Sequence, residues 1–178
     1  MKTLIIYESQ TGSTKTYAED IGKAVLGEVI PLKKFKKKMI ADYDVLVFGG
    51  WVRGSEIQGL NKFLSYWDLM EGKDVIVFSS GMSIPTKEGR EALIDANLLY
   101  MYHLRFYQLQ GNFDYSKLGW KHKLMLDMSL NSIARDPSAS ADQKALLNLK
   151  TTPITYYDSA KVSKIISVIN SLSVEKAA

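Results

Sequence analysis

Three short apolar runs constrain this chain more than any other feature: LIIY (Leu4 to Tyr7), VLVF (Val45 to Phe48) and VIVF (Val75 to Phe78). Each carries β-branched residues, none alternates with polar ones, and each stops at small or polar residues: ESQTGS, GGW and SSG. Runs of that kind suit strands buried on both faces, the condition of a parallel sheet covered by helices on either side. Between and after them lie segments with helical spacing. Tyr17, Ala18, Ile21 and Val25 share one face, as do Leu60, Phe63, Leu64 and Trp67. Thr86 to Met101 and Asp158 to Leu172 continue the series, the last with Val162, Ile165, Ile166, Ile169 and Leu172 in register. Strand and helix alternate, so the expected fold class is doubly wound α/β. EVIPL (Glu28 to Leu32) is expected as a short edge strand, since its proline and the lysines beyond it suit a sheet edge. RFYQLQG (Arg105 to Gly111) supplies a fifth strand.

The alternation breaks between about Asn112 and Tyr157, where some forty residues precede the last helix and read as an insertion. Within it, Trp120 to Ala134 is expected to be a helix with Trp120, Leu124, Met128 and Ile133 near one face. Core packing and a membrane- or quinone-facing role both fit that face. Ser140 to Leu149 reads as a second short helix. At 178 residues, with 46% hydrophobic and 24% charged residues, the chain is expected to form one domain over 1–178. It has no cysteine, which excludes disulfides, iron–sulfur clusters, zinc fingers and thiol catalysis. No run suits a signal peptide or a membrane span, so the expectation is cytoplasmic. A net charge of +4 favours anionic partners without choosing among them. KKFKKK (Lys33 to Lys38) reads as a solvated edge run, and no nucleic-acid role is expected. His103 and His122 stand alone, without i,i+4 partners, so no metal site is expected.

The segment after the first strand, Ser9 to Thr16, holds hydroxyls at Ser9, Thr11, Ser13, Thr14 and Thr16 around Gly12. It lacks the spacing of a Walker loop and of G-x-G-x-x-G. What remains is S-x-T-G-x-T between a buried strand and an amphipathic helix. A helix N-terminus offers backbone N–H groups to an anion, short hydroxyls add donors without bulk, and Gly12 lets the backbone approach closely. A phosphate is the anion such a loop suits.

That loop resembles the phosphate loop of the flavodoxin family, T/S-x-T-G-x-T. The resemblance implies a five-stranded sheet in the order 2-1-3-4-5, with FMN at the switch point between strands 1 and 3, a rule of which flavodoxin is itself an example. It implies that Ser9, Gln10, Thr11, Gly12, Ser13 and Thr14 wrap the FMN phosphate. It also implies that Gly49, Gly50, Trp51, Val52 and Arg53 flank the ring from the third-strand loop, and that Ser80, Gly81 and Met82 do so from the fourth. Unlike the acidic carriers of that family, this chain places Arg53 in a flavin loop and Lys15 beside the phosphate loop. A cation there favours reduced, anionic flavin and points to oxidase or dehydrogenase chemistry. The insertion, with Gly111, Tyr115, Trp120 and Tyr156-Tyr157-Asp158, is similar to that of menaquinone-dependent protoporphyrinogen IX dehydrogenases. This likeness implies oxidation of a porphyrinogen-like substrate with a quinone acceptor. The flavin does the chemistry and no side chain acts as nucleophile. Arg53, Lys87 and Arg90 are then candidates for substrate carboxylates, and the insertion is where peripheral contact with the inner face of the membrane is expected. A flavodoxin shuttle serving a redox protein partner and an FMN-dependent NAD(P)H:quinone reductase remain as alternatives, and the oligomeric state is left open.

Overall fold

The computed structural model describes residues 1–139, 144, 146–153 and 155–175. Five strands form the parallel sheet: β1 (Thr3–Glu8), β2 (Glu28–Pro31), β3 (Val45–Arg53), β5 (Asp74–Gly81) and β6 (Arg105–Gln110), in the order β2-β1-β3-β5-β6. This is the expected 2-1-3-4-5 arrangement of parallel strands. One element was not expected: β3 overruns its apolar core and folds back on a two-residue strand, β4 (Glu56–Ile57), pairing Val52 with Ile57 antiparallel.

Residue alternation along each strand divides two cores, because successive side chains point to opposite faces. Leu4, Ile6, Leu46, Phe48, Val75 and Val77 face one way, toward α2 (Leu60–Leu64) and α3 (Lys87–Ala96). Ile5, Val45, Val47, Ile76, Phe78 and Leu109 face the other, toward α1 (Ser13–Val25) and the final helix, named α5 once α4 (Trp120–Arg135) is counted, over Ser159–Glu175. Both faces are dry, and so the strands carry no polar alternation.

Two helices are shorter than their spacing predicts. α2 stops after Leu64, where the Ser65 hydroxyl donates back to the Lys62 carbonyl at 2.8 Å. The apolar pattern continues in a separate 3-10 turn over Trp67–Met70. α3 begins behind Thr86, whose hydroxyl accepts from the Gly89 N–H at 3.0 Å, and ends at Ala96 rather than Met101. The Asn97 side chain ends it. Its amide donates to the carbonyls of Leu93 and Ser55, both at 2.8 Å, and its oxygen accepts from Ile57 N–H at 2.9 Å, tying the helix to the β3–β4 hairpin.

The insertion contains α4 and a 3-10 turn at Leu146–Lys150. The helix expected over Ser140 to Leu149 falls largely on residues outside those described. Tyr115 donates to both Asp127 carboxylate oxygens at 3.0 and 3.1 Å, and Lys150 reaches the same carboxylate at 2.8 Å, joining three segments of the insertion. Only Leu130 of α4 is buried. The expected stripe exists, but Trp120 (72% exposed), Leu124 and Met128 face solvent rather than the core. No described helix is long and apolar enough to cross a membrane.

The insertion leaves and rejoins the core at one place. The Tyr17 hydroxyl donates to the Gln110 carbonyl at 2.5 Å and accepts from the Asp158 N–H at 2.9 Å, so its two ends lie within two hydrogen-bond lengths of each other.

Candidate functional site

Gly12 stands at the N-terminal cap of α1 with φ +101°, a conformation that side chains with a Cβ avoid, and open space lies where a Cβ would project. This turn carries the chain from β1 into α1 and aims the first N–H groups of a 13-residue helix at the carboxyl end of the sheet. The hydroxyls around it divide their work. Ser9 accepts from Gly12 N–H at 3.2 Å, Thr16 donates to the Gly12 carbonyl at 3.2 Å, and Ser13 donates to the Asn112 carbonyl at 3.0 Å. Thr14, fully buried, shares a 2.7 Å bond with Ser80 at the end of β5. Thr11 has no hydrogen-bond partner among the described residues. The loop thus builds itself with four hydroxyls and leaves Thr11 and the backbone N–H groups facing outward.

A cleft of about 90 Å³ opens beside this turn. Of the residues expected at a flavin, Gln10, Thr11, Ser13, Thr14, Trp51, Val52, Ser80, Gly81 and Met82 line it. Ser9, Gly12, Gly49, Gly50 and Arg53 do not. Packing within the sheet requires glycine at both strand-end positions: a Cβ on Gly49 would lie 2.1 Å from the Phe78 ring, and one on Gly50 2.5 Å from Ile57. Arg53 is exposed on the hairpin. Lys87 pairs with Glu91 at 4.0 Å, and Arg90 lies over the Phe106 ring and donates to its carbonyl at 3.3 Å, so both of these cations have partners on the surface of the α3 layer. A larger open trough of about 570 Å³ is lined by Met128, Asn131, Ser132 and Arg135 of α4 and by Asp136 just beyond it, none of them a residue expected at the flavin.

Three lining residues, Asn112, Phe113 and Leu118, escaped sequence reasoning. They follow β6, and position was the available signal, because every loop after a parallel strand reaches the same edge of the sheet. His122 also belongs here. Its Nδ1 lies 3.2 Å from the Gln10 amide nitrogen, and its ring meets Trp51 edge-on with centroids 6.0 Å apart. Since the amide nitrogen is the donor, Nδ1 accepts and the imidazole proton sits on Nε2.

The site is anchored from behind. Tyr17 stacks on Tyr157 at 5.0 Å, and burial raises the pKa of both hydroxyls, with Asp20 raising that of Tyr157 further through a hydrogen bond. Both remain protonated donors at neutral pH. Among the described residues, no cluster of three metal-ligating side chains occurs.

Residues 4–140 match the flavodoxin domain family. The chain belongs to that family. A flavodoxin of Maridesulfovibrio salexigens is 36% identical over 94 residues, covering 46% of this chain and 64% of that protein, so the match spans less than two thirds of the relative. Among solved structures, the two-electron reduced flavodoxin of Megasphaera elsdenii is 21% identical over 61% of this chain and 83% of its own, with a TM-score of 0.46. A flavoprotein in complex with FMN from Lactobacillus acidophilus is 19% identical over 61% and 91%, with a TM-score of 0.42. These two likenesses are of fold alone. FMN is the cofactor of the flavodoxin domain family. The donor set fits its phosphate: an outward-facing helix N-terminus, a turn without a Cβ and an unpartnered threonine hydroxyl. Trp51, half-buried at the mouth, fits an aromatic ring. The cleft is narrower than the roughly 300 Å³ at which small-molecule sites begin, and the insertion forms part of its wall through Asn112, Phe113 and Leu118.

Proposed function

We propose that this chain is an FMN-dependent oxidoreductase whose insertion forms the platform for a bulky apolar partner, with a porphyrinogen-like donor and a quinone acceptor as the specific case. The observation that carries it is the position of the insertion: Asn112, Phe113 and Leu118 line the cleft, and the exposed Trp120, Leu124, Met125 and Met128 follow at once on α4. An apolar surface of that kind beside a redox site suits a large hydrophobic molecule better than a protein partner of charged surface. When bound, FMN supplies hydride and electron-transfer chemistry. The chain's own residues hold and orient: Thr11 and the first N–H groups of α1 bind the phosphate, Trp51 and Met82 bound the ring, and Phe113 and Leu118 exclude water. Lys121 and Lys123 on α4, next to its apolar residues, favour a peripheral position at an anionic membrane surface on the cytoplasmic side.

A second reading, a flavodoxin-type shuttle, is favoured by one observation: no cation lines the cleft, and Lys87 and Arg90 are engaged elsewhere. Deleting Asn112 to Pro153 and closing the gap with a short Gly/Ser linker separates the two. The ends already meet at Tyr17, so the core is expected to fold and bind FMN. Anaerobic stopped-flow with protoporphyrinogen and no NAD(P)H should show flavin reduction in the whole chain and a sharp loss in the deletion variant. Undiminished quinone-coupled turnover after deletion would leave the shuttle as the better reading.

A further inference from the structure

His122 belongs to a segment more than a hundred residues from the phosphate loop, yet it touches that loop and the aromatic residue beside it. It sits in the first turn of α4, half-buried, while the rest of the helix keeps only Leu130 in a core. The two contacts of His122 are with Gln10 and Trp51, both of which line the cleft. Leu118, four residues earlier, lines the 90 Å³ cleft, and His122 stands against two of its wall residues, Gln10 and Trp51. A planar three-ring group does not fit in that volume unless a wall moves.

We propose that His122 is a residue of the flavin site supplied by the insertion: its imidazole stands against Trp51 where the isoalloxazine must enter, and the first turn of α4 swings away to admit it. This rests on the flavin reading above. His122 bonds the loop through the Gln10 side chain and not through Thr11 or the first N–H groups of α1, which hold the phosphate in the reading above, so His122 governs the ring rather than the phosphate. The Gln10 amide, which donates to Nδ1, holds the closed position, and the edge-on contact with Trp51 completes it.

The test follows FMN fluorescence quenching by stopped-flow, with inorganic phosphate binding measured by calorimetry on the same proteins. If the open arrangement is about a tenth of the population, His122→Ala should speed FMN association about tenfold. Phosphate affinity should be unchanged. His122→Phe, which restores bulk against Trp51 but loses the bond to Gln10, should fall between the two. An FMN association rate unaltered by His122→Ala overturns the inference, and so does a change in phosphate affinity equal to that for FMN, since the effect would then arise in the loop. Phosphate binding without any FMN binding, in all three proteins, overturns the flavin reading itself and this inference with it.

Discussion

Replacing Tyr17 with phenylalanine removes one oxygen atom from the point where three parts of the chain meet. Tyr17 is 1% exposed. Its hydroxyl donates to the Gln110 carbonyl at the end of β6 and accepts from the N–H of Asp158, itself buried, at the start of α5. Phenylalanine keeps the stack on Tyr157 and the edge contact with Phe78, so the loss is confined to hydrogen bonds. A buried donor and a half-buried acceptor are then left without this partner, at about 1–3 kcal/mol for the donor and less for the acceptor, and a destabilisation of roughly 1–4 kcal/mol is expected. Urea unfolding followed by far-UV circular dichroism measures it, with the slope m unchanged if only the native state is altered. The pH dependence adds a second check. Burial raises the pKa of Tyr17 in the folded chain, so its contribution is complete below the unfolded value near 10 and declines as pH rises through the folded one. The alkaline fall in stability should be shallower in the variant. A loss under about 0.5 kcal/mol would refute the view that this hydroxyl joins the two ends of the insertion.

Thr11→Ala should weaken FMN binding by roughly 1.5–3 kcal/mol in a fluorescence titration while leaving stability unchanged, because its hydroxyl has no partner among the described residues to lose. Thr14→Val should instead lower stability by about 1–3 kcal/mol in urea, since it strands the Ser80 hydroxyl. Asp127→Asn should raise hydrogen exchange in the insertion. Its Lys150 and Tyr115 partners hold the Asp127 pKa below the usual carboxylate value, so the native contribution is present above about 3.9 and lost as pH falls through the lower folded value. Arg53→Glu should lower the two-electron potential of bound FMN in spectroelectrochemistry, by about 1 kcal/mol or less because Arg53 is exposed and screened.

The sheet was legible because burial on both faces leaves a mark in sequence: LIIY, VLVF and VIVF carry no polar alternation, and each became a central strand. The turn from β1 into α1 was legible too, since Gly12 sits among closely spaced hydroxyls just before the amphipathic helix. What could not be read was how the hydroxyls divide. Nothing in the order Ser9 to Thr16 shows that Ser13 is turned to Asn112, 99 residues away, or Thr14 to Ser80. Gly49 and Gly50 were expected at the flavin from the flavodoxin resemblance alone, and their packing against Phe78 and Ile57, on neighbouring strands, left no mark in the sequence. His122 looked isolated for the same reason. Its partners are close only after the insertion folds back, and helical spacing carries no record of that.

Contact between insertion and core at the cleft mouth has a strength that bears on what the insertion can do. Away from its two anchored ends, α4 touches the site through the bond of His122 to Gln10 and its edge-on contact with Trp51. A net hydrogen bond contributes about 0.5–1.5 kcal/mol and an aromatic pair about as much again, so opening costs on the order of 1–3 kcal/mol. That corresponds to an open population between roughly one per cent and a tenth. The bonds of Asp127 to Tyr115 and Lys150 tie the middle of α4 to its neighbours in the insertion, so the motion that frees Trp51 is confined to the first turn of the helix. A ligand that makes better contacts than His122 with Trp51 therefore has only a small difference to overcome.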